Sequence, residues 1–588
     1  GLIAVLVSFY ASGPTFESGS SAKSAGDSSR KPRPPRPPPE FGVVLNRSSR
    51  LIQEGQYRRA AEMLEKQALP TRPDSFEAWT KLGVARRLGW GIEGVEPAIE
   101  AFESAAALRP KSAELQAYLS AELASTSRLE EARNAAFRTL ALQPDHMEAL
   151  VTATRLTNFS DPEHSTGAVA LVEKLTQLIK KEKLSPREEI KAHFALFKAL
   201  DGLGEHSAAA KELKTANRLE NELNSLAGSQ EEEAAGGVSH APWRKEGMSQ
   251  LLISLIMAFK SPPHNPEPPL QTPEECPANG PRPLLIVGLP RSGSTIVQQM
   301  LRSHPSVFVG DEFPFLSMSI EDTLSRSTSG EDAGNLNQMA ILQENADEIG
   351  HRYLAKIMSV VQKGERDSYR YVIDKQLANA WWIGAVPLIF SCGAKVITLE
   401  RSDLALGFGN FKTHFTEQSK SGSEFAYDLS EIGWRTILTR RVMAHWRHVL
   451  PKESLLSLTY EDLVTNPEGA TSQLLRFLDL PHVDACSRPH ENKAPIVSSS
   501  GIDLRQPLHP TRYREAWQRY AFTLEPLMTS LHAARNWVEA NVPPAPLLFQ
   551  DPPPISTSDF DSADDAIDDA TKKREENTLA DADVTDGA

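Results

Sequence analysis

The chain has 588 residues, of which 40% are apolar and 24% charged, and its formal net charge is −14. That is enough for several packed domains at roughly 100–200 residues each, and the acidic balance argues against a general nucleic-acid binder. Three cysteines, Cys276, Cys392 and Cys486, lie far apart with no Cys-x-x-Cys pair, so neither a zinc site nor a disulfide framework is indicated and the redox compartment stays open.

At the N-terminus "GLIAVLVSFYA" is apolar but short of the about 20 residues that a bilayer span needs. It reads either as the stub of a signal-anchor helix or as a fragment end. Residues 18–40, "SGSSAKSAGDSSRKPRPPRPPPE", are rich in Ser, Gly, Pro and base. Such a stretch cannot bury enough apolar surface to offset its ordering entropy. Residues 1–41 are therefore expected to be an apolar stub and a disordered linker. Asn46-Arg-Ser and Asn158-Phe-Ser have the sequence of glycosylation acceptors.

Residues 42–225 carry a helical, repetitive pattern. Ala98, Phe102, Ala105 and Pro110 recur 34 residues later as Ala132, Ala136, Thr139 and Pro144. Small residues at these positions let paired helices approach, and the proline closes each unit. A period of this length is that of tetratricopeptide (TPR) repeats. Trp79, Leu82 and Gly83 suit the first helix of a unit, with weaker copies at "EGQYRRAAEML" and around Ala209, Leu213 and Ala216. The stretch between Asp145 and Pro186 departs from the period, which predicts one degenerate repeat. Such units stack by local contacts and present a concave face to extended peptides.

Residues 226–280 are expected to be a breaker-rich linker around one short helix, "KEGMSQLLISLIMAF". From 281 to 545 short apolar strands alternate with helices. Strands are predicted at "PLLIVGL", "VFVG", "YVID", "AKVITLE" and "LLSLTY". Helices are predicted at "STIVQQMLRS", "ANAWWIGAVPLIF", "FAYDLSEIGWRTILTRRVMAHWRHVL" and "EGATSQLLRFL". Such alternation implies a mostly parallel sheet covered by helices. Residues 546–588 are expected to be a disordered acidic tail. From Asp551 onward 12 acids face 3 bases, a net of −9 that accounts for most of the charge of the chain.

The chemistry concentrates in "GLPRSGSTIVQQML". Gly288, Gly293, Ser294 and Thr295 have the spacing of a phosphate-binding P-loop, but Ser294 stands where its lysine is expected and Arg291 sits inside the loop. Backbone N–H groups and the following helix N-terminus hold a phosphate in such a loop. The usual lysine reaches a distant phosphoryl group. A donor with one phosphate and a short anionic group needs no such reach, and an arginine within the loop grips it by bidentate contact. The loop therefore suits a phosphosulfate better than a triphosphate.

The ordered set "IVGLPRSGSTIVQQMLRSHPSVFVGDEFPFL", "VIDKQLAN", "FAYDLSEIGWRTILTRRVMAHWRHVLP", "LTYEDLVTNPEGA" and "DLRQPLHPTRYREAW" resembles sulfotransferases that use 3′-phosphoadenosine 5′-phosphosulfate (PAPS). More narrowly it resembles TPR-containing sulfotransferases related to protein-tyrosine sulfotransferases. The resemblance covers about 281–530. It implies an all-α TPR solenoid followed by an α/β P-loop sulfotransferase domain, with PAPS as donor, no metal, and a protein tyrosine as acceptor. A carbohydrate or small-molecule hydroxyl is the alternative acceptor. If the N-terminal stub is a signal anchor, the protein belongs at the Golgi membrane, facing the lumen; otherwise it is cytoplasmic. Oligomeric state and the partner of the TPR face are left open.

The resemblance also implies site residues. Glu312 is the general base, with Asp311 as its neighbour and rival. Lys375 stabilises the leaving oxygen, and Asn379 matches a recurrent asparagine. Arg291, counted with these two as catalytic, grips the phosphosulfate together with the amides of Ser292, Gly293, Ser294 and Thr295. Arg401 binds the 3′-phosphate, and Ser500 and Arg505 approach the nucleotide, with Arg512 and Trp517 close by. Three positions depart from the family pattern. Leu377 replaces a proline, Ala405 an aspartate, and Gly409 the serine that joins the arginine on the 3′-phosphate. A lost charge-assisted bond there is worth about 1.5–3 kcal/mol, and Ser402, Lys412 or backbone amides are candidates to substitute. His445 and His448, on a Trp-bearing helical face, read as structural. A nucleotide kinase would need the loop lysine and a magnesium-binding acid. A TPR scaffold with a decayed transferase domain is favoured by Gly409 and Ala405 and opposed by Arg291, Glu312 and Lys375.

Overall fold

The computed structural model describes residues 40–544 apart from 160–164, 182–183, 235–244, 260–280, 311, 328–340, 343, 362–367, 391–392, 416–422, 497–500 and 509–515. The N-terminal stub, the Pro-rich linker, the acidic tail, Cys276 and Cys392 lie outside the described residues.

The first half is a run of antiparallel helices. These are α1 (Phe41–Gln53), α2 (Tyr57–Met63), α3 (Phe76–Trp90), α4 (Val95–Leu108) and α5 (Ala113–Leu123). They continue as α6 (Leu129–Leu142), α7 (Met147–Leu156), α8 (Ser165–Lys180), α9 (Pro186–Gly202) and α10 (His206–Ala234). α2 is prolonged by a π turn, Leu64–Ala68. The repeat residues do what their size demands. Ala98, Ala105, Ala132, Ala136 and Thr139 are completely buried. Gly83 lies so close to Phe102 that a Cβ would come within 2.5 Å of its ring. Pro110 and Pro144 end their units because the residue before each takes an extended ψ, 76° at Arg109 and 90° at Gln143. Ser75, Ser112 and Ser185 cap the helices that follow, the last in a reciprocal capping box with Glu188.

The stretch that breaks the repeat period still forms the hairpin α7–α8. Its apolar spacing survives, with Leu150, Ala153, Leu171 and Leu175 buried together. The array also runs past its expected end, since α10 continues to Ala234.

The second half is built on five parallel strands, β1 (Arg282–Gly288), β2 (Val307–Val309), β3 (Tyr371–Asp374), β4 (Lys395–Glu400) and β5 (Leu455–Thr459), in the order β2-β3-β1-β4-β5. Each predicted strand is present. Alternate residues of β1 feed two separate cores, Leu285 and Val287 on one face and Leu284 and Ile286 on the other. That two-sided burial is what covering helices require of a parallel sheet.

The helices are α11 (Lys245–Ala258), α12 (Ser294–Arg302), α13 (Phe315–Ser327), α14 (Ala346–Val360), α15 (Val386–Ile389) and α16 (Asp403–Phe411). α17 (Leu429–Val449), α18 (Tyr460–Thr465), α19 (Pro467–Phe477) and α20 (Glu525–Asn541) complete them. Two predicted helices need correction. "ANAWWIGAVPLIF" forms 3-10 turns at Leu377–Trp381 and Ile383–Ala385 before the short α15. Pro387 contributes no N–H to a longer helix, and a Cβ on Gly384 would come within 2.3 Å of the Trp446 ring. The helix expected from Phe425 begins only at Leu429, because the Asp428 carboxylate accepts from the amides of Ser430 and Glu431.

α11, expected inside a linker, belongs to the transferase core. Met248, Leu252, Leu255 and Ile256 pack there with Trp381, Trp446 and Val442. The TPR array also meets the second half directly. The Asn217 side chain donates to the carbonyl of Phe411 at 2.9 Å, and the Tyr520 hydroxyl donates to Asp201 at 2.7 Å. The carbonyl of Ser125 accepts from the Ile496 amide at 2.7 Å and from Arg505 at 3.0 Å. Among the described residues no helix is long and apolar enough to cross a membrane.

Because α11 is core rather than linker, Leu252→Ala and Leu255→Ala should each destabilise the transferase half by about 2–5 kcal/mol. Urea unfolding followed by tryptophan fluorescence checks this. A loss below about 0.5 kcal/mol is what a surface linker would give.

Candidate active site

Three strand ends meet at the carboxyl edge of the sheet, the position where open parallel sheets bind ligands. After β1 the chain enters a left-handed loop. Gly288 has φ +149°, Arg291 +71° and Gly293 +103°. A Cβ at Gly288 would come within 2.8 Å of the Leu399 carbonyl on β4. α12 starts directly at Ser294, so its N-terminal amides border the loop and the helix dipole favours an anion there. Ser292, Ser294 and Thr295 are all buried, and the Ser292 hydroxyl has no hydrogen-bond partner among the described residues. An unsatisfied hydroxyl inside a glycine cradle fits a loop shaped to receive an oxyanion.

The loop is tied down from the β4 side. The Asn410 side chain donates to the Pro290 carbonyl at 2.9 Å, and Arg401 Nη1 donates to the Arg291 carbonyl at 3.0 Å. The Arg401 guanidinium sits 3.9 Å over the ring of Tyr460, which also floors Gly293. α16 carries two of the three departures from the family pattern, Ala405 and Gly409. Ala405 is buried. A Cβ on Gly409 would lie 3.3 Å from Arg291 Cβ and 3.8 Å from Arg401 Nη1. The serine position therefore faces the stem of Arg291 at close contact, with the Arg401 guanidinium beside it. Ser402 precedes α16 with its amide on Glu461, and Lys412 lies 5.4 Å over Phe408.

Glu312 and Lys375, 63 residues apart, form an ion pair. Lys375 follows β3 and its side chain is 4% exposed, whereas that of Glu312 is 39% exposed and open to an incoming group. The loop carrying Glu312 is fixed by Gln298 of α12, whose amide donates to the Gly310 carbonyl at 3.2 Å. Beside Lys375, Asp374 is completely buried and takes a hydrogen bond from Asn379 at 3.3 Å. Sequence reading passed over Asn410, Gln298, Tyr460 and Asp374. Only Asp374, directly before the lysine at a strand end, had a local signal.

Other expected residues stand apart. The Arg505 guanidinium donates to the carbonyls of Asn492, Ala494 and Ser125, so it clips the C-terminal segment to the TPR array. Burial and the nearby Arg302 hold its pKa below the usual value. Trp517 is half-buried at the start of the turn Gln518–Thr523. Ser500, Arg512 and Asp311 lie outside the described residues. His445 is buried, its ring centroid 5.0 Å from that of Trp446, and burial pushes its imidazole down to about 4. His448 is exposed. Among the described residues no group of three His, Cys, Asp or Glu could hold a metal.

Gly409→Ala sets a helix-propensity gain of about 1 kcal/mol against a 3.3 Å contact with Arg291 Cβ, so its midpoint in thermal unfolding should stay close to wild type. A clear fall would mean that the Arg291 stem is held too firmly to give way.

Residues 283–484 match the model of the sulfotransferase family, so this part of the chain is a sulfotransferase-family domain. An uncharacterized protein of Aquifex aeolicus (strain VF5) is 29% identical over 256 residues, covering 42% of this chain. The match spans about a third of that relative, 32% of its length. Protein-tyrosine sulfotransferase 1 of Danio rerio is 28% identical over 266 residues, covering 44% of this chain and 70% of that protein. Among solved structures, the sulfotransferase domain from the Synechococcus PCC 7002 olefin synthase aligns at 18% identity and a TM-score of 0.31, covering 45% of this chain and 97% of that one.

Proposed function

With a sulfotransferase-family domain at residues 283–484 as premise, we propose that this protein moves the sulfuryl group of PAPS to a protein tyrosine hydroxyl. The observation that carries the reading is the Glu312–Lys375 pair at the carboxyl edge of the sheet. These are the two side chains that the transfer needs. The carboxylate takes the proton as the acceptor oxygen attacks sulfur. The sulfur–oxygen bond to the 5′-phosphate breaks, and the ammonium receives the charge that develops on the released phosphate oxygen. The amides at the start of α12, with Ser292 and Arg291, hold the phosphosulfate. Arg401, which follows β4 and donates to the Arg291 carbonyl of that loop, binds the 3′-phosphate.

Homology to a protein-tyrosine sulfotransferase supports the tyrosine acceptor. The helical repeats support a protein acceptor, because a TPR face that holds an extended chain raises its local concentration at the transferase. The intact Glu312–Lys375 pair weighs against a decayed scaffold.

Labelled sulfate supplied as PAPS, offered to tyrosine peptides and to glycans, tests the reading. Transfer to tyrosine is expected; transfer to glycans alone would move the acceptor to carbohydrate, and no transfer to any acceptor would refute the function. Glu312→Gln should lower turnover by about 10²–10⁴-fold while PAP binding in calorimetry stays close to wild type. Residual turnover above about a tenth of wild type would rule Glu312 out as the base.

A further inference from the structure

Lys375 leaves the end of β3 on a chain segment that has no regular hydrogen-bond ladder of its own. Its course is set by its neighbour. Asp374 is 0% exposed, and both of its carboxylate oxygens are engaged. One accepts from the backbone amide of Gln376 at 3.0 Å, spanning Lys375. The other accepts from the Tyr353 hydroxyl at 3.0 Å and from the Asn379 amide at 3.3 Å. Tyr353 is also fully buried and comes from α14, so the carboxylate joins the strand end to a helix on the covering layer.

We infer that Asp374 is a positioning residue for sulfuryl transfer, which fixes Lys375 and Asn379 through this three-donor cluster; the inference rests on the proposed reaction. A carboxylate accepts all three bonds at once, whereas a carboxylic acid must donate from one oxygen and so releases a donor. The titratable or charged groups around it are Tyr353 from α14 and, on its own segment, Lys375 with its ion partner Glu312. β1 pairs Leu285 with it. Burial pushes the Asp374 carboxyl up to about 6, against the hydrogen bonds that oppose the shift. The ionised form that orders the loop is thus held at a cost to the folded state. A folded-state pKa above the unfolded one gives stability that is full below the unfolded value and lost as pH rises through about 6.

Asp374→Asn keeps the shape and removes the charge. It should leave PAP binding unchanged and lower kcat by about 10²-fold, the scale of a small misplacement of a catalytic group. Above pH 6 its Tm should be equal to or higher than that of wild type, with the difference closing as pH falls. The acid limb of the kcat profile should fall with two protons in wild type and one in Asp374→Asn. Tyr353→Phe removes one donor to the ionised form, so it should shift that limb to higher pH with PAP binding intact. A structural role alone would instead lower Tm and kcat together and leave the limb in place, and this outcome would overturn the assignment. So would wild-type kcat in Asp374→Asn. A wild-type chain that transfers no sulfate would overturn the functional reading itself, and with it any role for Asp374, whereas an active wild type beside an unaltered variant would overturn the positioning role only.

Discussion

The turn from Gly288 to Gly293 passes through three left-handed residues, and its path is enforced by close approach. β4 presses its Leu399 carbonyl against Gly288, and the Tyr460 ring presses against Gly293. Two side chains then seize the loop carbonyls, Asn410 at Pro290 and Arg401 at Arg291. Within the loop the Ser292 amide donates back to the Leu289 carbonyl at 3.3 Å, and Gly293 leads directly into the N-terminus of α12.

Part of the restraint on the loop arrives through α16, which carries Asn410 and Gly409. Its first turn is anchored by Asp403, which pairs with Arg440 and Arg535. Gly407 lies against Leu527, and Gly409 against Arg291. Phe408 stacks on Tyr520 at 4.7 Å, and the last carbonyl, at Phe411, accepts from Asn217 of the TPR array. A helix interior tolerates each glycine at about 1 kcal/mol relative to alanine, so two of them two residues apart mark a helix chosen for proximity rather than propensity. The TPR array is accordingly a buttress of the transferase half as well as a candidate docking face. Its last hairpin supports the helix that holds the loop, and the hairpin before the break in the repeat period is clipped by Arg505.

The departures from the family pattern take on a physical meaning in this setting. A serine at 409 would put its Cβ 3.3 Å from Arg291 Cβ, so it asks the arginine stem to give by a fraction of an ångström. Burying the Asp374 carboxylate likewise penalises the folded state, yet it accepts two bonds from the segment that aims Lys375 and one from Tyr353 of α14. Strain and desolvation gather where the candidate chemistry sits, as expected when positioning outweighs local stability.

Local chemistry determined a large part of this protein. Every predicted strand formed, because apolar runs of four to seven residues bounded by breakers have no other way to bury both faces. The repeat helices ended at Pro110 and Pro144, because proline restricts the residue before it. The glycine loop announced itself by spacing. Tertiary structure decided the rest. "ANAWWIGAVPLIF" has apolar residues enough for a helix, but the Trp446 ring and Pro387 broke it into turns. α11 looked like a helix stranded between linkers, and only the packing of Leu252 and Leu255 beside Trp446 made it core. Glu312 and Lys375 could be suspected one at a time, whereas their pairing depended on β2 lying beside β3. Asn410, Tyr460 and Asp374 act through bonds to distant backbone and aromatic groups. Such long-range partners leave no periodicity or spacing in the chain, so no local pattern could have disclosed them.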